Sequence, residues 1–128
     1  MKYYIETTLD TDFETAVTKV KEALKNQGFG VLSEIDIHEK LKEKLGVDFK
    51  KYKILGACNP PKAFEALQVE NNIGLMLPCN VIVQESQAGK IDIAAIDPVA
   101  SMKAVESENI ELIAREIKDK LTKVIRKL

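Results

Sequence analysis

The stretch Gly74–Pro98, GLMLPCNVIVQESQAGKIDIAAIDP, decides the fold. Its first half, Gly74 to Glu85, is apolar on both faces, with Leu75, Leu77, Val81 and Val83 set against Met76 and Ile82. That pattern predicts a central strand. Pro78 carries no amide hydrogen, so a bulge or a local edge is expected beside it. Gln87-Ala88-Gly89 reads as the turn, and Lys90 to Ile96 returns as the partner strand. A three-residue turn sets Ser86 opposite Lys90 and, counted back, Cys79 opposite Asp97. A two-residue turn would set Asn80 opposite Asp97 instead.

Working towards the N-terminus, Lys51–Cys58 reads as a strand that ends at a cysteine. Asn59 then has the chemistry of a helix N-cap and Pro60 suits the first helical position, opening a short helix to Val69. Phe29–Asp36 is a further strand, with Phe29, Val31, Ile35 and Ile37 expected on one side and Leu32, Glu34 and Asp36 on the other. Asp36 is placed to cap a helix over Ile37–Leu45, which Gly46 closes. Lys2–Thr8 is the first strand. Thr11-Asp12-Phe13-Glu14 reads as a capping box for a helix carrying Phe13, Ala16, Val17, Val20 and Leu24, stopped by Gly28.

Beyond the hairpin, Asp97-Pro98 repeats the cap-plus-proline grammar and predicts a short helix to about Val105. Ser107 caps a last helix in which Ile110, Ile113, Ala114, Ile117, Leu121, Val124, Ile125 and Leu128 form one apolar stripe. The order of elements, ending in a hairpin and a long helix, predicts a single α+β domain over residues 1–128 with a mixed or antiparallel sheet.

The chain has 128 residues, 45% of them hydrophobic and 30% charged, the profile of a soluble globular domain. A net charge of −1 gives no electrostatic case for nucleic acid. The basic residues from Lys118 to Lys127 alternate with acids and apolar positions, as on a solvated helix face. The N-terminus, Met1-Lys2-Tyr3-Tyr4-Ile5-Glu6, carries a charge too early for a signal peptide, and no apolar stretch is long enough to cross a bilayer. The expected location is cytoplasmic, where two cysteines are free thiols. One histidine excludes a zinc-finger ligand set. His38 near Glu34 and Asp36 is a surface residue or at most a carboxylate-rich metal corner.

The unusual chemistry lies in Cys58-Asn59-Pro60 and Pro78-Cys79-Asn80, two Cys-Asn pairs that each touch a proline. With Asp97 they outline a polar site. The helix N-terminus beside Cys58 is expected to lower its pKa, and Asp97 beside Cys79 to raise that of the second thiol. Three readings follow. In the first, Cys58, Asn59, Cys79, Asn80 and Asp97 form a small-ligand or thiol-chemistry site. In the second, these residues only fix turns and caps, and the sheet mediates a homodimer. In the third, the two thiols hold a soft metal ion, although one chain offers too few soft ligands to close such a site. No cofactor and no reaction can be assigned from the residues.

Five blocks of the chain resemble the family called domain of unknown function 302: Gly28–Asp36, Leu45–Phe49, Ile54–Pro60, Leu77–Asn80 and Ala95–Pro98. The resemblance covers essentially the whole chain. It implies a small fold similar to the TATA-binding-protein type, a curved, mainly antiparallel sheet packed by a long helix. Fold analogy carries no DNA-binding role by itself. The family's Cys-Asn-Pro, Pro-Cys-Asn and Asp-Pro motifs match Cys58, Asn59, Pro60, Pro78, Cys79, Asn80, Asp97 and Pro98, and it brings no established activity.

Overall fold

A computed structural model describes residues 2–128. The strands are β1 (Tyr4–Leu9), β2 (Gly30–Asp36), β3 (Tyr52–Cys58), β4 (Cys79–Glu85) and β5 (Ile91–Ile96). The helices are α1 (Phe13–Asn26), α2 (Ile37–Leu45), α3 (Pro60–Val69), α4 (Pro98–Ser101) and α5 (Glu108–Arg126). The strands form one five-stranded, curved sheet in the order β1-β5-β4-β3-β2, antiparallel at every step. β4 is its middle strand, as the two-sided apolar pattern predicts.

The hairpin has the three-residue turn. Ser86 N–H donates to the Lys90 carbonyl at 2.7 Å, and the ladder runs from Glu85 opposite Ile91 to Val81 opposite Ala95. Alternation then sends Cys79, Val81, Val83, Ile91, Ile93 and Ala95 to one face, where all six are buried. α1 and α5 cover that face. α1 contributes Phe13, Ala16, Val17, Val20 and Leu24, and α5 contributes Ile110, Ile113, Ala114, Ile117, Leu121, Val124 and Ile125. Ser107 Oγ accepts from Ile110 N–H at the start of α5, so the cap stands as read, and so does the apolar stripe except for Leu128, which lies beyond the helix and is half-buried.

Several local expectations are corrected. The cap of α1 is Asp12, not Thr11: its carboxylate accepts from Thr15 N–H at 2.8 Å and from Thr15 Oγ1 at 2.9 Å. The carboxylate directly before Phe13 is a charged acceptor and takes the position from the neutral hydroxyl. Asp36 stands at the N-cap of α2 but makes no capping bond, because its carboxylate faces Lys53 Nζ at 3.6 Å. α4 stops at Ser101, short of Val105.

The long strand from Gly74 is the largest of these corrections. Asn71–Met76 coils into a 3₁₀ turn and β4 begins only at Cys79. Glu70 starts the turn by accepting from Asn72 N–H at 3.2 Å. Ile73 is buried while Leu75 is 89% exposed, so the apolar run has helical rather than alternating burial. Pro78 follows a cis peptide bond just outside the strand, and β4 carries no bulge. The bulge lies in β2, where Val31 pairs with Ala57 but Ser33 pairs with Gly56, leaving Leu32 as the extra residue. An extra residue inverts the alternation beyond it. Ile35 therefore parts from Phe29 and Val31, and lies with Ile54 on the helix-free face at 41% exposure.

Gly56 marks how closely the chain packs there. A Cβ at this position would meet Ser33 Oγ at 2.3 Å and Pro78 Cγ at 2.9 Å. The hydroxyl can rotate away, but the proline ring cannot. Gly56→Ala is expected to lower stability by about 1–3 kcal/mol, the usual cost of overpacking. Denaturant unfolding should also show Ile117→Ala or Leu121→Ala losing about 2–5 kcal/mol. Leu75→Ala should stay within about 0.5 kcal/mol of the parent, as an exposed site does.

Candidate functional site

The Cys-Asn motifs meet where β3 and β4 run side by side. Ala57 pairs with Cys79, so Cys58 lies one residue beyond that pair. Cys58, Asn59 and Cys79 line one hollow with Phe29, Lys62, Leu77 and Ile117. Its volume is about 10 Å³, close to the room needed by one water molecule. Asn59 is buried and caps α3, its Oδ1 accepting from Lys62 N–H at 3.3 Å. Lys62 Nζ reaches Glu116, so the same turn ties α3 to α5.

Asp97 lies on the same face of the sheet as Cys79 but works elsewhere. Its Oδ1 accepts from Val99 N–H at 2.9 Å and Ala100 N–H at 3.4 Å, and its Oδ2 pairs with Lys118 Nζ at 3.0 Å. Asn80, next to Cys79 in a strand, points to the opposite, helix-free face and is exposed. The five residues read from sequence as one site are thus divided: Cys58, Asn59 and Cys79 share the hollow, Asp97 holds α4 to α5, and Asn80 looks out from the other side.

Both thiols are held neutral. Burial pushes Cys58 up, against the expectation of a lowered value. The reason is written in the start of α3. Pro60 and Pro61 have no N–H, Lys62 N–H is taken by Asn59 Oδ1, and Ala63 N–H by the Asn59 carbonyl at 2.9 Å. No free donor of the first turn remains to meet a thiolate. Burial pushes Cys79 further, up to about 11, and the second contribution comes from the Cys58 charge rather than from Asp97.

Metal chemistry finds few donors. Among the described residues no three His, Cys, Asp or Glu side chains cluster as ligands. His38 Nδ1 accepts from Tyr52 N–H at 3.0 Å, and Glu34 is paired with Lys21 at 2.7 Å and Lys53 at 3.3 Å. No helix among the described residues is long and apolar enough to cross a membrane.

The helix-free face of the sheet holds the larger concavity. Three rows of side chains cross it. Tyr4, Ile96, Asn80, Gly56 and Ser33 make the first, with Ile96 and Asn80 set by continuing the hairpin register one residue. Glu6, Ala94, Ile82, Ile54 and Ile35 make the second, and Thr8, Asp92, Gln84 and Tyr52 the third. The middle row is mostly apolar and half-buried, while the outer rows bring hydroxyl, amide and carboxylate groups. The open groove over them has a volume of about 740 Å³.

A family model described as "Domain of unknown function DUF302" matches residues 5–128. The chain belongs to the DUF302 family. The crystal structure of an uncharacterised conserved DUF302 protein from Bacillus stearothermophilus is similar to it, with 28% sequence identity and a TM-score of 0.92. The match covers 99% of this chain and 98% of that one. Comparison with curated proteins gave no match.

The Cys-Asn-Pro and Pro-Cys-Asn stretches therefore lie at the seam between β3, β4 and α3, and Asp97-Pro98 lies apart from them at the start of α4. The open face was missed in the sequence. Its signal was the second apolar row of the inner strands, Ile54, Ile82 and Ala94, which reads equally as a sign of centrality.

A raised thiol pKa has a direct consequence for stability. The unfolded chain releases the Cys79 proton near the ordinary value of 9.0, while the folded chain keeps it to about 11. The folded state binds more protons in that window, so stability falls as pH rises through it. Unfolding at pH 9, 10 and 11 should show this decline in the parent and a flatter profile in Cys79→Ala. Alkylation of the folded protein should modify half-buried Cys58 before buried Cys79, with a midpoint above the ordinary cysteine value rather than below it.

Proposed function

We propose that this domain binds a small ligand and that the ligand lies on the open face of the sheet. One comparison decides between the open face and the thiols: the groove there offers about 740 Å³, against about 10 Å³ between the two thiols. Ligand sites span roughly 300–1,000 Å³ and combine an apolar floor with a few polar groups. The floor is Ile82, Ala94 and Ile96, and Asn80, Gln84, Asp92 and Thr8 supply the polar groups. Of the five residues marked in the sequence, Asn80 touches the ligand in this reading. Cys58, Asn59, Cys79 and Asp97 hold the strands and helices that shape the sheet.

Two neutral thiols at one hollow support thiol or soft-metal chemistry less well, since the thiolate is the reactive and ligating form. A cytoplasmic location belongs to this proposal, because two free thiols suit a reducing compartment. Duplex DNA does not, whatever likeness the sheet has to the TATA-binding-protein type, because a net charge of −1 lacks a basic face.

The test is a fragment screen read by amide chemical shifts. Fragments that bind should perturb Tyr4, Asn80, Ile82, Gln84, Asp92 and Ala94 together, and Ala94→Trp, which fills the floor, should abolish the effect. Perturbations confined to the surroundings of Cys58 and Cys79 would move the site to the thiols. Perturbation of the open face by raising protein concentration alone would instead assign it to a homodimer.

A further inference from the structure

Resting on the open-face reading above, we infer that the ligand carries an ammonium group. The residues lining the groove include two carboxylates, Glu6 and Asp92, and no lysine or arginine. The chain supplies a cation from just outside. Lys2 Nζ lies 3.8 Å from the Glu6 carboxylate and 5.7 Å from the centroid of the Tyr4 ring. One ammonium thus touches both an acid and an aromatic face, the two groups that recognise organic cations.

Lys2 is weakly held in this place. Its side chain is 67% exposed and its ion pair with Glu6 is a surface one, of a kind that contributes little. A ligand ammonium can exchange with it without breaking anything in the core. Asp92, one row away from Glu6, is already oriented, because Thr8 Oγ1 donates to its Oδ1 at 2.7 Å. The apolar part of the ligand then lies along Ala94 and Ile82. Charge also disfavours a second copy of the chain as the occupant: two such faces together would bring four carboxylates into one interface against two Lys2 ammonium groups.

The experiment titrates the ¹⁵N-labelled protein with hexylammonium, hexanol and hexanoate at low and high salt. Hexylammonium should bind about tenfold or more tightly than the other two, a gap of about 1.4 kcal/mol. It should shift the amides of Tyr4, Glu6, Asp92 and Ala94 and weaken as salt rises. Glu6→Gln should reduce the affinity, and Lys2→Ala, by removing the internal competitor, should raise it severalfold. Both are exposed positions, and the spectrum itself reports that each variant is folded.

Equal binding of hexanol or hexanoate on the same face would overturn the ammonium inference and leave the ligand site in place. Unchanged or weaker hexylammonium binding in Lys2→Ala would overturn the role given to Lys2 and the inference with it. Failure of all three probes to reach this face, while screen fragments do reach it, would also reject the ammonium class. If screen fragments fail there too, in the parent and in Lys2→Ala, the open-face site falls first.

Discussion

A single layer of helices lies on one side of a five-stranded sheet, and strict alternation along each strand decides what that side receives. Nearly everything else follows from the register of β4 against β5. With Val81 fixed opposite Ala95, the helix-covered face gets Cys79, Val81, Val83, Ile91, Ile93 and Ala95, and the bare face gets Asn80, Ile82, Gln84, Asp92 and Ala94. A slip of one residue would exchange the two sets. It would put carboxylate and amide groups under α1 and α5, at a cost no helix packing could offset. The core and the candidate ligand groove are thus two outcomes of one pairing.

The chemistry of the thiols is set by a different local rule. A helix N-terminus stabilises an anion through its unpaired N–H groups as much as through its dipole. In α3 two prolines replace two donors and Asn59 uses the next two, so the terminus is closed before Cys58 can use it. Burial is left to set the pKa of both cysteines, and it acts in the direction of the neutral thiol. The two Cys-Asn motifs lie where two strands and a helix meet.

Much of the architecture could be read without coordinates. The stripe of α5, the cap at Ser107, the three-residue turn and the central place of β4 all rest on periodicities local to one element or one hairpin. The rest depended on contacts between elements. The bulge at Leu32 answers to the close packing of Ser33, Gly56 and Pro78, and nothing in β2 alone announces it. The apolar run before Pro78 fits a strand as well as a 3₁₀ turn, and the cap at Glu70 decides between them. The grouping of Cys79 with Asn80 had a local remedy, since adjacent strand residues face opposite ways. The donor-free start of α3 was equally legible in Pro60-Pro61.

The bulge in β2 bears on how the protein behaves when crowded. A sheet has two edges, and here they are β1 and β2. A fibre that grows by adding strands needs a usable edge at both ends of every copy, whereas a closed pair needs only one. Leu32 interrupts the regular row of outward amides and carbonyls along β2, and the ion pairs of Glu34 with Lys21 and Lys53 add charge there. β1 is the other edge, and its row carries no such interruption. The same extra residue that turns Ile35 onto the open face thereby disfavours the addition of a further strand at β2.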